Sequence, residues 1–120
     1  NSPDLDYVEK VKGYCKKYGI KNHKIEHIDV HQENGKNERI CRSREVIRQY
    51  ILANGYDAWF SWESDIIIPI NALGKMLGLI KGGAMVIIHN SQAREHPDYS
   101  DFDMGCTLID KEALKKYGFR

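Results

Sequence analysis

Short apolar runs alternate along the chain with longer segments in which apolar residues recur every three or four positions. Runs of this length are typical of buried strands, and the longer recurrence is typical of amphipathic helices. Strands that alternate with helices usually assemble into a layered α/β fold with a largely parallel sheet. The sequence therefore predicts a Rossmann-like, three-layer α/β/α fold. The strands are expected near Ile28, Phe60, Ile87 and Leu108.

Four helices are expected around these strands, at about residues 3–18, 40–53, 71–79 and 111–117. Proline at position 3 suits the first turn of a helix, and the Asn-Gly pair at 54–55 suits a helix end. A chain of 120 residues can build one hydrophobic core, so residues 1–120 are predicted to form a single domain. The polar residues 90–100 are expected to form a loop.

The charge balance and the apolar runs exclude two classes of partner. A formal net charge of +1 is too balanced for a surface that binds nucleic acid. The longest apolar runs, residues 66–70 and 85–88, are too short to cross a bilayer, and no leader sequence is visible at Asn1. The three cysteines form no Cys-x-x-Cys pair, which favours reduced thiols and a cytoplasmic protein.

An acidic motif follows the aromatic strand that is predicted at residues 56–62. Glu63 and Asp65 are separated only by Ser64, and two carboxylates this close repel each other unless a cation lies between them. Mg²⁺ and Mn²⁺ prefer such oxygen ligands and commonly bridge to phosphates. The motif thus predicts a metal site at Glu63 and Asp65. A solvated strand end, or a helix cap before Asn71, is the alternative that the residues leave open.

At this motif the chain resembles GT-A-type glycosyltransferases, especially those of family 2. In that family a strand ends in Asp-x-Asp, which binds a divalent metal and, through it, the diphosphate of a sugar nucleotide. Asp65 matches the second position, whereas Glu63 replaces the first aspartate. Ser43-Arg44 is similar to an Ala-Arg-Asn-like element that opens the preceding helix in the family. The resemblance therefore implies Mn²⁺ or Mg²⁺ as the cofactor, with Arg44 near the diphosphate.

Two stretches after the motif extend the resemblance over most of residues 38–114. Asn71-Ala72-Leu73 is similar to the segment that follows the motif in the family. Residues 104–114 are similar to its Gly-x-x-Leu-Ile-x-x-x-x-Leu element near the acceptor site. Arginine side chains suit bidentate phosphate binding. The residues expected to bind the nucleotide sugar are Arg39, Arg44, Trp62, Glu63, Ser64 and Asp65.

The resemblance implies transfer of a sugar from a nucleotide-diphosphate donor to a hydroxyl acceptor, which is a glycan, a lipid or a protein. Family 2 members invert the anomeric centre, so inversion is expected here. A carboxylate must take the acceptor proton as the hydroxyl attacks. Asp103 is the first candidate because it adjoins the element at Gly105, and Asp101 and Glu95 are the other candidates.

Two other functions remain open from the sequence. His27, Asp29 and His31 alternate along a predicted strand and so fall on one face. Imidazole and carboxylate groups suit zinc or iron, which predicts a metal-dependent hydrolase as the alternative enzyme. The family's first strand, and a second one that ends in Asp-Asn-Ser-like residues, have no counterpart here. A non-catalytic binding module is therefore another alternative, and N-terminal sequence or another chain is expected to supply the missing strands.

Overall fold

The computed structural model describes residues 5–28, 35–63, 66–88, 91–92, 100–101 and 104–119. The helices of this part are α1 (Leu5–Lys17), α2 (Lys36–Ala53), α3 (Ala72–Lys81) and α4 (Lys111–Lys116). Its strands are β1 (Ala58–Trp62), β2 (Val86–Ile88), β3 (Ser91–Gln92), β4 (Ser100–Asp101) and β5 (Cys106–Asp110). The chain divides into two compact units, one of Asn1–Val46 with Phe119–Arg120 and one of Ile47–Gly118. That residues 1–120 form a single domain stays a prediction.

The first unit contains α1 and the amino-terminal part of α2. α1 ends where Gly19 adopts a positive φ of 64°, and the N–H of Ile20 donates to the carbonyl oxygen of Cys15 at 2.9 Å. The rings of Tyr14 and Tyr18 stack with their centroids 6.4 Å apart. No residue described in this unit has a buried side chain. The described part of the unit is therefore held by local contacts and half-buried groups rather than by a buried core.

The strand predicted near Ile28 is not formed in the residues that the structure describes there. Residues 23–28 have no regular secondary structure, and Lys24 forms an ion pair with Glu26 at 2.8 Å. A strand is stable only where a neighbour completes its backbone hydrogen bonds. No described strand pairs with this segment, so alternating apolar residues alone did not produce one.

The second unit contains a three-stranded sheet in the order β1-β5-β2. β5 pairs antiparallel with both neighbours, with Phe60 opposite Leu108 on one side and Ile87 opposite Leu108 on the other. β1 and β2 therefore run in the same direction, with β5 reversed between them. The separate pair of β3 and β4 is also antiparallel and joins Ser91 to Asp101 in register.

The prediction of a largely parallel, Rossmann-like three-layer sheet is wrong, because every described strand pair is antiparallel. The segment β1-α3-β2 does return the chain in the same direction, as an alternating strand and helix pattern predicts. These two strands are not neighbours, however, because β5 lies between them. An apolar run indicates that a strand is buried but not in which direction it runs. The sequence pattern therefore could not predict that β5 lies between β1 and β2.

β5 is the buried centre of the second unit. Four of its five residues are buried, and the side chain of Leu108 is 2% exposed. Met76 from α3 packs with Cys106 and Leu108, and half-buried residues such as Phe60 and Ile87 pack against this cluster. Burying a side chain of this size stabilises a fold by about 1.5–3 kcal/mol. The predicted strands near Phe60, Ile87 and Leu108 are therefore confirmed as elements, although their pairing differs from the prediction.

Polar contacts fix the two ends of α4 in this unit. Asp110 caps its amino terminus by accepting a hydrogen bond from the N–H of Glu112 at 2.8 Å. Near its carboxyl terminus, Nε of Arg48 in α2 donates to the carbonyl oxygen of Leu114 at 2.6 Å. None of the described helices has the length and apolar character needed to cross a membrane.

Candidate functional site

The carboxyl ends of β1 and β2 lie at one edge of the sheet, together with the amino end of β5. This arrangement follows from the antiparallel pairing of β5 with both neighbours. We call it the acidic edge, and it comprises Trp62, Glu63, Ile88, Gly105 and Cys106. The N–H of Glu63 donates to the carbonyl oxygen of Gly105 at 2.8 Å. The acidic motif and the glycine element, which are far apart in the sequence, are thus joined directly.

The two sides of the acidic motif are fixed by hydrogen bonds. The N–H of Ile66 donates to the carbonyl oxygen of Glu63 at 3.1 Å, which links the two described residues that flank positions 64–65. The indole Nε1–H of Trp62 donates to the carbonyl oxygen of Ile66 at 2.8 Å. Ser64 and Asp65 themselves lie outside the described residues. The backbone that leads into and out of the motif is therefore held at both sides.

Glu63 and Trp62 present exposed side chains at the acidic edge. The Trp62 indole is 59% exposed, although the other residues of β1 are buried or half-buried. A carboxylate oxygen is a hard ligand of the kind that Mg²⁺ and Mn²⁺ prefer. Glu63, the described one of the two expected metal ligands, thus has a suitable ligand atom and is accessible to such an ion. That Glu63 and Asp65 bind a metal together stays a prediction, because Asp65 lies outside the described residues.

A cleft of about 420 Å³ begins next to the acidic edge. Cys106 lines it and stands opposite Trp62 in the register of β1 and β5. Residues opposite each other in an antiparallel pair point to the same face of the sheet. The cleft therefore opens on the face that α3 covers. Its lining comes from α3 with the turn before it and from two strands: Pro69, Asn71, Ala72, Lys75, Met76, Ile87, Ile88 and Cys106.

Cys106 is buried in the floor of this cleft, with 2% of its surface exposed. Burial raises the pKa of its thiol above the ordinary value, because the thiolate would lose its hydration. A thiol rather than a thiolate is present at neutral pH, and the thiol is a poor nucleophile and metal ligand. Cys106 is consequently an apolar lining group and not a reactive one.

Arg39 and Arg44 lie in the part of α2 that belongs to the first unit. The expectation that Ser43-Arg44 opens this helix is wrong, because α2 begins at Lys36 and places Arg44 more than two turns inside it. Glu38 pairs with Arg42 one turn later, which favours an earlier helix start. Ser43 Oγ bonds to the carbonyl oxygen of Arg39 at 2.9 Å, as in a helix interior. Binding of a nucleotide sugar by Arg39 and Arg44 stays a prediction.

The remaining candidates fall largely outside the residues that the structure describes. Among the expected bases, Glu95 and Asp103 lie outside them, whereas the backbone of Asp101 forms part of β4. The pairing of β3 with β4 was not predicted, since these two-residue strands are too short and polar to show a pattern. His27 is exposed in an irregular segment. Asp29 and His31, the other members of the expected hydrolase site, lie outside the described residues.

Among the described residues, no three His, Cys, Asp or Glu side chains come together as a group that could hold a metal ion. Comparison of the chain with protein-family models, with curated proteins and with solved structures gives no match. The resemblance to glycosyltransferases thus depends on the motif residues of the sequence alone.

Lys75 and Asn71 were not predicted as functional residues. They lie one turn apart on one side of the cleft, where the N–H of Lys75 donates to the carbonyl oxygen of Asn71 at 3.1 Å. The sequence signal that could have found them is the occurrence of two polar residues in a segment whose other residues are mostly apolar. Their position beside strands β2 and β5 depends on the fold, so it could not be predicted from the spacing of residues in the sequence.

Proposed function

We propose that the chain binds the metal and the diphosphate of a nucleotide sugar, as part of a glycosyltransferase that moves the sugar to a hydroxyl acceptor. The observation that carries this proposal is the hydrogen bond from Glu63 to Gly105. It joins the acidic motif to the glycine element, which are the two stretches of the second unit with the most extensive resemblance to family 2 enzymes.

Within this proposal, Glu63 supplies a carboxylate for the metal, together with Asp65. The bound Mn²⁺ or Mg²⁺ would offset charge on the leaving diphosphate. The indole of Trp62 offers an exposed aromatic surface beside the same carboxylate. Such a surface suits the apolar face of a sugar ring or a nucleotide base. Trp62 would therefore position the donor rather than take part in the chemistry.

The transfer requires a base that accepts the proton of the acceptor hydroxyl. As the hydroxyl oxygen forms a bond to the anomeric carbon, the bond between that carbon and the diphosphate breaks, which inverts the centre. Asp101 precedes Cys106 by five positions, and a chain of that length spans at most about 18 Å. Asp101 therefore lies within one short segment of the acidic edge. Asp103 and Glu95 remain the other candidates for this base.

Titration of the protein with a nucleoside diphosphate, in the presence and absence of Mn²⁺, tests the proposal. UDP, GDP and ADP are each measured, because the base is unknown. Glu63→Gln keeps the size of the side chain and removes its charge. We expect Mn²⁺-dependent binding to become at least about tenfold weaker, because even the loss of a residue that only hydrogen-bonds to a metal ligand lowers metal affinity by about that factor. The matched control is Glu112→Gln, which removes an exposed carboxylate that pairs with Lys115 in the same unit.

Each outcome of this titration has a defined meaning. Binding that needs Mn²⁺ and is weakened by Glu63→Gln, but not by Glu112→Gln, supports the proposal. Equal binding without Mn²⁺, or an unaffected Glu63→Gln variant, contradicts the metal assignment. Metal-dependent binding without sugar transfer to any acceptor would favour the non-catalytic module.

We also propose a cytoplasmic location, which the three free cysteines favour.

A further inference from the structure

The cleft beside the acidic edge has a mainly apolar lining. Met76 and Cys106 are buried in its floor, and Ile87 and Ile88 form the wall that β2 contributes. Its volume of about 420 Å³ lies within the usual range for small-molecule sites. Hydroxyl or charged groups placed against these side chains would lose water without gaining hydrogen bonds. The lining therefore selects a ligand whose body is apolar.

One side of the same cleft is polar and positively charged. Lys75 lines the cleft, and no described residue forms an ion pair with its ammonium group. α3 contains no acidic residue, and its only other charged residue is Lys81 in the last turn. Asn71 adds an amide that can donate and accept hydrogen bonds one turn away. This side is therefore complementary to a single anionic group.

These two properties do not suit the nucleotide donor. A nucleoside diphosphate with its sugar carries several negative charges and many hydroxyl groups. The cleft offers one cation and one amide, so most of these groups would face apolar side chains. A ligand with an apolar body and one anionic end, by contrast, satisfies both sides of the cleft.

The position of the cleft relates it to the proposed reaction. Cys106 in its floor is the cross-strand partner of Trp62, and the preceding Gly105 accepts the hydrogen bond from Glu63. A molecule in the cleft therefore lies beside the residues that would bind the metal and the diphosphate. Donor and acceptor must meet there for transfer to occur.

We propose that the cleft binds an amphiphilic molecule with an apolar body, whose single anionic group contacts Lys75. The identification of this molecule as the sugar acceptor rests on the proposed function. It narrows the acceptor from a glycan, a lipid or a protein to a lipid-like compound with an acidic group. All ligands of this class have an alkyl chain joined to a phosphate or a carboxylate group.

Calorimetric titration with n-octyl phosphate, below its micelle concentration and without metal or nucleotide, tests the site. n-Octyl glucoside has the same alkyl chain without the charge, and inorganic phosphate has the charge without the chain. We expect n-octyl phosphate to bind more tightly than either. Lys75→Met keeps an apolar stem, so it should weaken n-octyl phosphate binding roughly tenfold, as expected for loss of a charge-assisted hydrogen bond. The matched control Lys81→Met removes the other cation of α3 and should leave binding unchanged.

A second variant probes the apolar wall. Ile87 lines the cleft and stands opposite Leu108 on the face that α3 covers, so Ile87→Ala should weaken n-octyl phosphate and n-octyl glucoside alike. Circular dichroism of each variant checks that it is folded. Equal affinity for n-octyl phosphate and n-octyl glucoside, unchanged affinity in Lys75→Met, or no binding of n-octyl phosphate would overturn the proposal.

The test separates this inference from the proposed function because it contains neither metal nor nucleotide. If n-octyl phosphate binds as expected while Mn²⁺ and nucleoside diphosphates do not, the cleft stands as a ligand site and its role as an acceptor site is refuted. If the diphosphates bind and n-octyl phosphate does not, the cleft proposal fails and the proposed function stands.

Discussion

The indole Nε1–H of Trp62 donates a hydrogen bond to the carbonyl oxygen of Ile66, with 2.8 Å between the two atoms. This bond spans the acidic motif, since Glu63 directly follows one partner and position 65 directly precedes the other. A side chain that is 59% exposed thereby acts as a brace for the backbone on both sides of the motif. The bond therefore fixes Trp62 relative to Ile66, and fixing residues that flank a site before a ligand binds lowers the entropy cost of binding.

We predict that Trp62→Phe weakens Mn²⁺-dependent diphosphate binding severalfold, because phenylalanine keeps an aromatic ring but lacks the N–H donor. The free energy of unfolding should fall by only about 0.5–1.5 kcal/mol, the usual net value of one hydrogen bond. Titration calorimetry and urea unfolding give the two quantities. Tyr56→Phe, which removes the hydroxyl from another exposed aromatic residue of the unit, serves as the control. A binding loss as large in the control would show that the bond from Trp62 has no special role.

The stability of the second unit should depend strongly on Leu108. This residue is 2% exposed, stands opposite both Phe60 and Ile87, and packs against Met76. Leu108→Ala should lower the free energy of unfolding by about 2–5 kcal/mol, through lost burial and the cavity that remains. Leu79→Ala makes the same change at a side chain that is 56% exposed, and should stay within about 0.5 kcal/mol. Urea unfolding of both variants checks this, and similar losses would contradict a core centred on β5.

The elements of the second unit could largely be predicted from the sequence, because their apolar residues occur in short, continuous runs. β1, β2 and β5 appear where such runs occur, and α3 follows Asn71 as expected. The direction of β5 could not be predicted. A five-residue run that is buried on both faces reads the same whether its neighbours are parallel or antiparallel. Within the three-stranded sheet, the error in fold class follows from the direction of that strand.

The sequence offers individual residues for the candidate site, such as Glu63, but not their arrangement. Glu63 was identified because a carboxylate follows an aromatic strand, and Gly105 because it begins a recognisable element. Their contact requires β5 to run against β1, which the apolar pattern does not encode. Lys75 illustrates the same limit, since its place in the cleft depends on how α3 packs beside two strands that are distant from each other in the sequence. Helix starts were also uncertain, because the first turns of α2 are polar and lack an apolar stripe.

Arg44 provides a test of the phosphate-binding hypothesis in the first unit. The residue is half-buried in the interior of α2 and not at its amino terminus, so no helix dipole assists it. If Arg44 contacts the diphosphate, Arg44→Lys should weaken binding about tenfold, because lysine lacks the planar fork that bonds two oxygens. Arg42→Lys, at an exposed position paired with Glu38, should have no effect. Equal binding by both variants would remove Arg44 from the site.

Cys106 should make the stability of the protein decrease at alkaline pH. Burial raises the pKa of its thiol above the ordinary value of 9.0. Below that value the thiol is protonated in both the folded and the unfolded chain, so it adds no pH dependence. Above 9.0 the unfolded chain loses this proton first and binds fewer protons than the folded chain. The free energy of unfolding should then fall by at most about 1.4 kcal/mol per pH unit, until the raised pKa is reached.

Urea unfolding between pH 8 and pH 11 measures this effect, with Cys106→Ala as the reference that lacks the thiol. The stability difference between the unchanged protein and Cys106→Ala should be constant near pH 8 and should shrink above 9.0, because titration of other groups cancels in the difference. At pH 7.5, Cys15 and Cys41, which are half-buried, should react with iodoacetamide well before the buried Cys106. A stability difference that is independent of pH, together with early alkylation of Cys106, would mean that this thiol is exposed and that the cleft floor is not closed around it.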